Sequence, residues 1–232
     1  MKFNSVLLSV LFSTTAFAGP MEFTVHHAPG GPSDTATRIL AKTIGDNEFV
    51  IVNRPGAGGR IATRHLLSEK TIMLATMSQI YVANPMIFPD LEYNPDKDLE
   101  LVGVVASMPS VLVCNTSKNI KSVADLATAK SLNFGVAGYG SSEHLATEVL
   151  LGKTSKNHQI VPYSKGGSAA VQDMVAGHLD CMFANYPTVK GWAGDQRLNF
   201  VMSSHAINLR LPTWNTVFKE DFPFQSYLGL VL

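Results

Sequence analysis

The turn Ala28-Pro29-Gly30-Gly31-Pro32-Ser33-Asp34 follows a strand-like segment, residues 22–27, and leads into a helical pattern that opens at Thr35. Such a turn aims several backbone N–H groups and a helix N-terminus into one small space. That space attracts an anion, and a carboxylate is the simplest anion to fit. Glycines let the backbone approach a ligand with no Cβ in the way. The same residues also make an ordinary strand-to-helix turn, so the turn alone leaves both readings open. A second glycine-rich turn, Asn53-Arg54-Pro55-Gly56-Ala57-Gly58-Gly59, lacks the Lys-Ser/Thr of a phosphate loop, and Ile61 breaks a dinucleotide fingerprint. It reads as structural.

Other residues invite competing chemistry. Gly138-Tyr139-Gly140-Ser141 loosely suggests a nucleophile elbow, yet the G-x-S-x-G spacing is absent, so a serine hydrolase using Ser141 is the weaker alternative. Ser141 and Ser142 either bond a ligand or cap the helix that follows. His144 lies in the first turn of that helix with no acid nearby in sequence, and reads as a supporting group rather than a base. His26 and His27, on one strand, should point to opposite faces, so a shared metal is not expected. Asp34 either orients a ligand or neighbouring amides, or sits as a first-turn acid favouring the helix dipole by about 0.3–1 kcal/mol. Tyr163 reads as a pocket wall in preference to core packing. No metal or other cofactor is expected.

The elements that must position these residues alternate β and α. A helix over 35–44 carries Ala36, Ile39, Leu40, Thr43 and Ile44 on one face. Strand 49–52, helix 61–67 and strand 71–76 follow. Ser78 is expected to cap the segment running to Met86. Residues 90–98 read as a surface loop, and 101–106 and 111–115 as strands leading into a second domain. Ser122 and Asp125 form a capping box with Asp in place of Glu. Strand 133–137 precedes helix 143–151. Strand 159–161 precedes a helix ending at Gly177, and strand 181–184 comes next. The special residues cluster at the C-terminal ends of strands, the edge where open α/β sheets bind ligands. Two loops from each half are expected to face one another across a cleft.

Composition narrows the classes. With 46% hydrophobic residues the chain can build a sizeable core, and its formal net charge is +0. No basic tract stands out, which argues against nucleic acid as a partner. Lys2, the apolar run 6–12 and Ala16-Phe17-Ala18 form a signal-peptide pattern over residues 1–18, so export is expected, with a bacterial periplasm as the best fit. No lipobox cysteine follows. Cys114 and Cys181 lack metal-ligand spacing. An oxidising compartment permits a bridge, but two small buried thiols are the favoured reading, since a chain of this size needs no staple.

Five pieces together resemble a known family. They are Pro29-Gly30-Gly31-Pro32-Ser33-Asp34, residues 53–59, Tyr93-Asn94-Pro95-Asp96-Lys97-Asp98-Leu99, residues 138–145, and Val161-Pro162-Tyr163 with Gly177-His178-Leu179-Asp180. In this order they resemble the extracytoplasmic solute receptors of tripartite tricarboxylate transporters, the Bug or TctC family. The resemblance implies a non-catalytic receptor with a type II periplasmic-binding-protein fold, two α/β domains closing on a small organic carboxylate, and the transporter's membrane components as partners. It implies domains over 19–104 and 105–222, with 223–232 as a return strand towards the first.

The resemblance assigns the ligand grip to Gly30, Gly31, Ser33 and Asp34, to Thr76 and Ser78, to Ser141, Ser142 and His144, and to Tyr163, Gly167 and Ser168. Two departures accompany it. The loop from Tyr163 to Ala170 is one residue longer than the family's pattern. Family members also continue past the strand at 227–232 and return to cover the first domain with helices. Measured against that pattern, the C-terminal part of the first domain is expected to be missing. The chain then reads as a fragment, a frameshifted copy or a truncated product, with a non-binding remnant or a compact natural variant as alternatives.

Overall fold

The computed structural model describes residues 20–45, 48–154, 157–223 and 225–232. The expected signal peptide lies outside the described residues. Two α/β lobes are each built on a five-stranded sheet among the described residues. The first lobe contains β1 (Met21–Val25), α1 (Pro32–Ile44), β2 (Phe49–Asn53), α2 (Arg60–Glu69) and β3 (Ile72–Thr76). A π-helical turn, Ser78–Ala83, then runs into α3 (Asn84–Ile87), followed by α4 (Pro95–Asp98) and β4 (Leu101–Met108). The second lobe contains β5 (Ser110–Asn115), α5 (Val123–Thr128), β6 (Asn133–Val136), α6 (Ser142–Lys153) and β7 (Gln159–Pro162). It continues through α7 (Gly167–Ala176), β8 (Cys181–Asn185), α8 (Tyr186–Val189), β9 (Leu198–Ser203) and α9 (Trp214–Phe218). Finally β10 (Ser226–Val231) returns to the first sheet.

The sheets follow one plan. Their strand orders are β2-β1-β3-β10-β4 and β7-β6-β8-β5-β9. β1 joins β2 and β3 in parallel, as β6 joins β7 and β8, while the last two strands of each order run antiparallel to their neighbours. Parallel neighbours need crossovers, which the helices supply, and helices on both faces bury the strands they cover. Hence β3, β5 and β8 are buried along their whole lengths. The sheet assignment changes at Pro109, between β4 and β5, and Ser226 of the returning strand pairs with Met108 beside that crossing. Both edges of β10 are hydrogen-bonded, and Leu228 and Val231 are buried.

Several local expectations change in the folded chain. Helix α1 buries Ser33, Asp34, Thr37 and Ala41 and leaves Ile39 at 63% exposure. Its small polar residues allow a close approach to the sheet, which rotates Ile39 outward. Ser78 caps nothing: the residue at the cap position is Met77, already helical, and the Ser78 hydroxyl is buried without a partner. The 90–98 segment is not wholly surface loop. Tyr93 is buried, donating from its hydroxyl to the Ile80 carbonyl at 2.9 Å and accepting from Asn84 Nδ2 at 3.1 Å. The capping box at Ser122 and Asp125 forms as expected.

The cysteines require a correction. Cys114 and Cys181 are joined by a disulfide. Apolar patterning identified both segments as strands but carried no information on which strands are neighbours. Antiparallel pairing of β5 with β8 sets the two residues directly opposite one another, with Cα atoms 4.0 Å apart. The bridge closes a separation of 67 residues, for which chain entropy gives roughly 4 kcal/mol of stabilisation. The double substitution Cys114→Ala with Cys181→Ala should therefore lower the unfolding free energy by about 2–4 kcal/mol in urea titrations. A loss under about 1 kcal/mol would show that the bridge does not hold this lobe together.

Candidate ligand-binding site

A narrow cavity lies between the lobes, with about 360 Å³ of interatomic space, mouth included. The first lobe lines it with His27, Ala28, Gly31, Pro32, Ser33, Thr76 and Met108. The second lobe contributes Ala137, Glu143, Lys165, Gly166, Gly167, Ser168, Asn185 and Thr188. These residues come from strand ends, loops and helix starts at the C-terminal ends of β1, β3, β4, β6, β7 and β8.

Two helix N-termini meet at this space, one from each lobe. Gly31 caps α1 and Gly166 caps α7, and neither has a side-chain cap bond. First-turn N–H groups have no acceptor within their own helix, and the helix dipole favours negative charge beside them. Some other helices close this end themselves, whereas α2, which starts after Gly59, also lacks a side-chain cap bond but does not reach the cavity. In α6 the Ser141 hydroxyl accepts from His144 N–H at 3.1 Å, and α5 carries its capping box. The cavity is thus lined by two helix N-termini that lack a side-chain cap bond.

Behind α1, Asp34 organises the turn. Its carboxylate accepts from Gly30 N–H at 2.9 Å, from Asn53 Nδ2 at 3.0 Å and from Arg38 Nε and Nη2, both at 3.0 Å. Burial opposes its ionisation, but the bonds from Arg38, Gly30 and Asn53 prevail and hold the carboxyl below its ordinary range. Asn53 Nδ2 also donates to the His27 carbonyl at 2.9 Å. The second glycine turn packs beneath: a Cβ on Gly59, at φ +85, would meet Ile80 Cδ1 at 2.8 Å and the His26 ring at 3.4 Å.

His26 and His27 do not point apart. Both lie beyond the end of β1, where strand alternation no longer applies, and their ring centroids are 4.0 Å apart. His26 Nε2 sits 3.0 Å from Thr76 Oγ1, and His27 Nδ1 sits 3.1 Å from Ser33 Oγ. Burial drives His26 well below its ordinary value, with repulsion from His27 adding to it, and burial lowers His27 to about 4. Among the described residues no group of three or more His, Cys, Asp or Glu is placed to hold a metal ion.

On the second lobe, Glu143 is buried in the cavity wall. Its Oε1 accepts from Asn185 Nδ2 at 2.9 Å and its Oε2 from Ser142 Oγ at 3.3 Å. Burial raises its pKa, against the pull of those bonds and of its own N–H. The lobes also touch away from the cavity. Gln79 Nε2 donates to the Tyr139 carbonyl at 3.4 Å. At Gly140, φ is +78 and a Cβ would stand 3.0 Å from Ala83 Cβ, so a side chain there would push the lobes apart.

Of the residues singled out in the sequence, the cavity gathers Gly31, Ser33, Thr76, Gly167 and Ser168. The others are engaged elsewhere. The Gly30 amide is taken by Asp34. Ser141 caps α6, and Ser142 bonds Glu143 and Asn185. His144 accepts from Gly140 N–H at 3.1 Å, and it has an acid neighbour after all, Glu148, at 3.7 Å one helical turn on. Tyr163 donates to Asp173 Oδ2 at 2.8 Å, and burial together with that bond pushes its hydroxyl up to about 12. Ser78 stays outside the lining.

Sequence reasoning missed His27, Met108, Glu143, Lys165, Asn185 and Thr188. A signal existed for three of them. Lys165 precedes the Gly166-Gly167 helix start, Asn185 ends a buried strand and Thr188 follows it.

Residues 34–231 match the family model described as Tripartite tricarboxylate transporter family receptor. The chain belongs to this family. That membership agrees with the expectation of a receptor in place of an enzyme. Among relatives, BugT of Bordetella pertussis (strain Tohama I) is 32% identical over 184 residues, covering 74% of this chain and 56% of BugT. A protein of R. palustris solved with adipate superposes with a TM-score of 0.82 at 25% identity, covering 92% of this chain and 76% of that one. MatC from Rhodopseudomonas palustris with bound malate gives 0.81 at 25%, over 92% and 78%. The type II periplasmic-binding-protein fold is thereby established. The chain spans about half the length of the curated relatives it matches, 56% of BugT and 51% of a UPF0065 protein of Pseudomonas sp. strain P51.

The histidine pair carries a pH signature. Unfolding restores His27 to a value near 6.5, whereas the folded ring stays neutral down to about 4. The unfolded chain therefore binds more protons in this window, and stability falls as pH drops from about 6.5 towards 4. Glu143 acts with the opposite sign, since its raised folded pKa favours the folded chain as pH falls. Comparison with His27→Gln, which keeps a partner for Ser33, isolates the histidine. Its urea midpoint should fall less between pH 6.5 and 4 than that of the parent chain.

Proposed function

We propose that this receptor-family chain is an extracytoplasmic solute-binding protein that captures a small organic carboxylate by closing its lobes around it. The observation that carries the reading is the convergence of two uncapped helix N-termini, from opposite lobes, on one cavity. In this reading Gly31 and Ser33 hold one side of the carboxylate and Gly167 and Ser168 the other. Thr76 supplies a hydroxyl, and Lys165 adds positive charge. Gly30, Asp34, Ser141, Ser142, His144 and Tyr163 act one layer back, keeping the gripping loops in shape. The bound molecules of the two R. palustris proteins, adipate and malate, support the ligand class.

Energetics give closure its role. Micromolar affinity needs about 8 kcal/mol. Neutral hydrogen bonds contribute about 0.5–1.5 kcal/mol each, so a few of them fall short. Exclusion of water as the lobes close, and the field of two aligned helix ends, make up the difference. The hinge lies where the chain crosses at Pro109 and where β10 returns beside Met108. The receptor would act in a periplasm and deliver its ligand to the membrane components of a tripartite tricarboxylate transporter. No nucleic acid and no cofactor takes part in this reading.

Calorimetry against mono- and dicarboxylates tests it. At least one acid should bind with micromolar affinity. Gly31 and Gly167 have backbone angles open to any residue, and an added Cβ meets nothing closer than 3.5 Å at Gly31 and 3.3 Å, to the Thr188 methyl, at Gly167, so Gly31→Leu and Gly167→Leu should fold with a small shift of Thr188. Each should weaken binding by about a hundredfold, roughly 2.7 kcal/mol, with little change in melting temperature. Undiminished binding in both variants would move the site elsewhere.

A further inference from the structure

Beside Lys165 and the start of α7, the second-lobe wall of the cavity also carries buried side chains able to accept hydrogen bonds. Glu143 is 4% exposed, and the groups that act on its carboxyl are neutral donors: Asn185, Ser142 and its own N–H. Asn185, also 4% exposed, commits its Nδ2 to Ser142 and Glu143 at 2.9 Å each, which fixes the amide and leaves Oδ1 buried without a donor. Thr188 Oγ1, a hydroxyl that can accept as well as donate, is likewise buried and unpartnered. Buried acceptors left in this state cost free energy until a donor arrives.

One wall therefore asks for donors while the helix ends ask for an anion. We infer, on the proposed carboxylate reading, that Glu143, Asn185 and Thr188 form an ammonium subsite and that the ligand is an amino acid. An ammonium presents three donors, matching these three acceptors, whereas a ligand hydroxyl presents one. The spacing selects an α-amino acid. A Cβ on Gly167 would lie 3.5 Å from Glu143 Oε1 and 3.3 Å from Thr188 Cγ2. The anion-binding start of α7 and the acceptor wall are thus neighbours, as are the carboxylate and ammonium on one carbon. A bound ammonium also supplies the counter-charge that Glu143 lacks among the described residues.

Calorimetry on the intact chain tests this with the common amino acids, each against the acid of the same skeleton bearing hydrogen in place of the ammonium. The expected result is an amino acid that binds at least about tenfold more tightly than its amine-free counterpart. Glu143→Gln should erase that preference while leaving the amine-free acid within about threefold. Thr188→Val, close in shape, should weaken only the amino acid, and it keeps the test open if the Glu143 variant fails to fold. Tighter or equal binding of the amine-free acids, or a preference that survives both substitutions in folded protein, would overturn the subsite and leave the carboxylate reading standing. Binding of neither set would overturn both.

Discussion

A helix N-terminus without a side-chain cap is an unfinished structure. Its first N–H groups need acceptors, and its dipole needs negative charge. In this chain α1 and α7 are left in that state from opposite sides of one cavity. Helices such as α5 and α6 are closed by serine and carboxylate groups of their own. Much of the rest of the molecule is scaffolding that places the two unfinished ends on opposite sides of that cavity.

The scaffolding is polar on the first lobe and covalent on the second. Asp34 ties Gly30, Arg38 and Asn53 together behind α1, so that the glycine turn keeps its shape without a ligand. This use of the Gly30 amide removes a donor that the turn seemed to offer. The disulfide between β5 and β8 fixes two central strands of the second sheet, and β8 ends at Asn185 in the cavity wall. Glycines permit close approach where elements cross: Gly59 lies under the His26 ring, and Gly140 lies against Ala83 between the lobes.

The cavity also holds titratable groups at a cost to folding. Two neutral histidines lie ring against ring, tilted by 41°, beside the first helix end, and a carboxyl is buried beside the second. Neither arrangement is what stability alone selects, since burial disfavours the charged form of each group. Groups held against their solution preference in a cleft between lobes make that cleft a candidate functional site.

Local chemistry by itself determined the alternation of strands and helices, the capping box at Ser122, the two glycine turns and the placing of polar residues at strand ends. These depend on neighbours a few positions apart, which apolar periodicity and turn residues report directly. Tertiary structure decided what no local pattern encodes. It chose which strands lie side by side, and hence the pairing of Cys114 with Cys181. It ended β1 before His26, so the two rings came together. It spent the hydroxyls of Ser141, Ser142 and Tyr163 on the protein, and brought Glu143, Lys165 and Thr188 to the cavity instead. A side chain's partner is set by packing across tens of residues, and only the assembled lobes reveal which polar groups line the cavity.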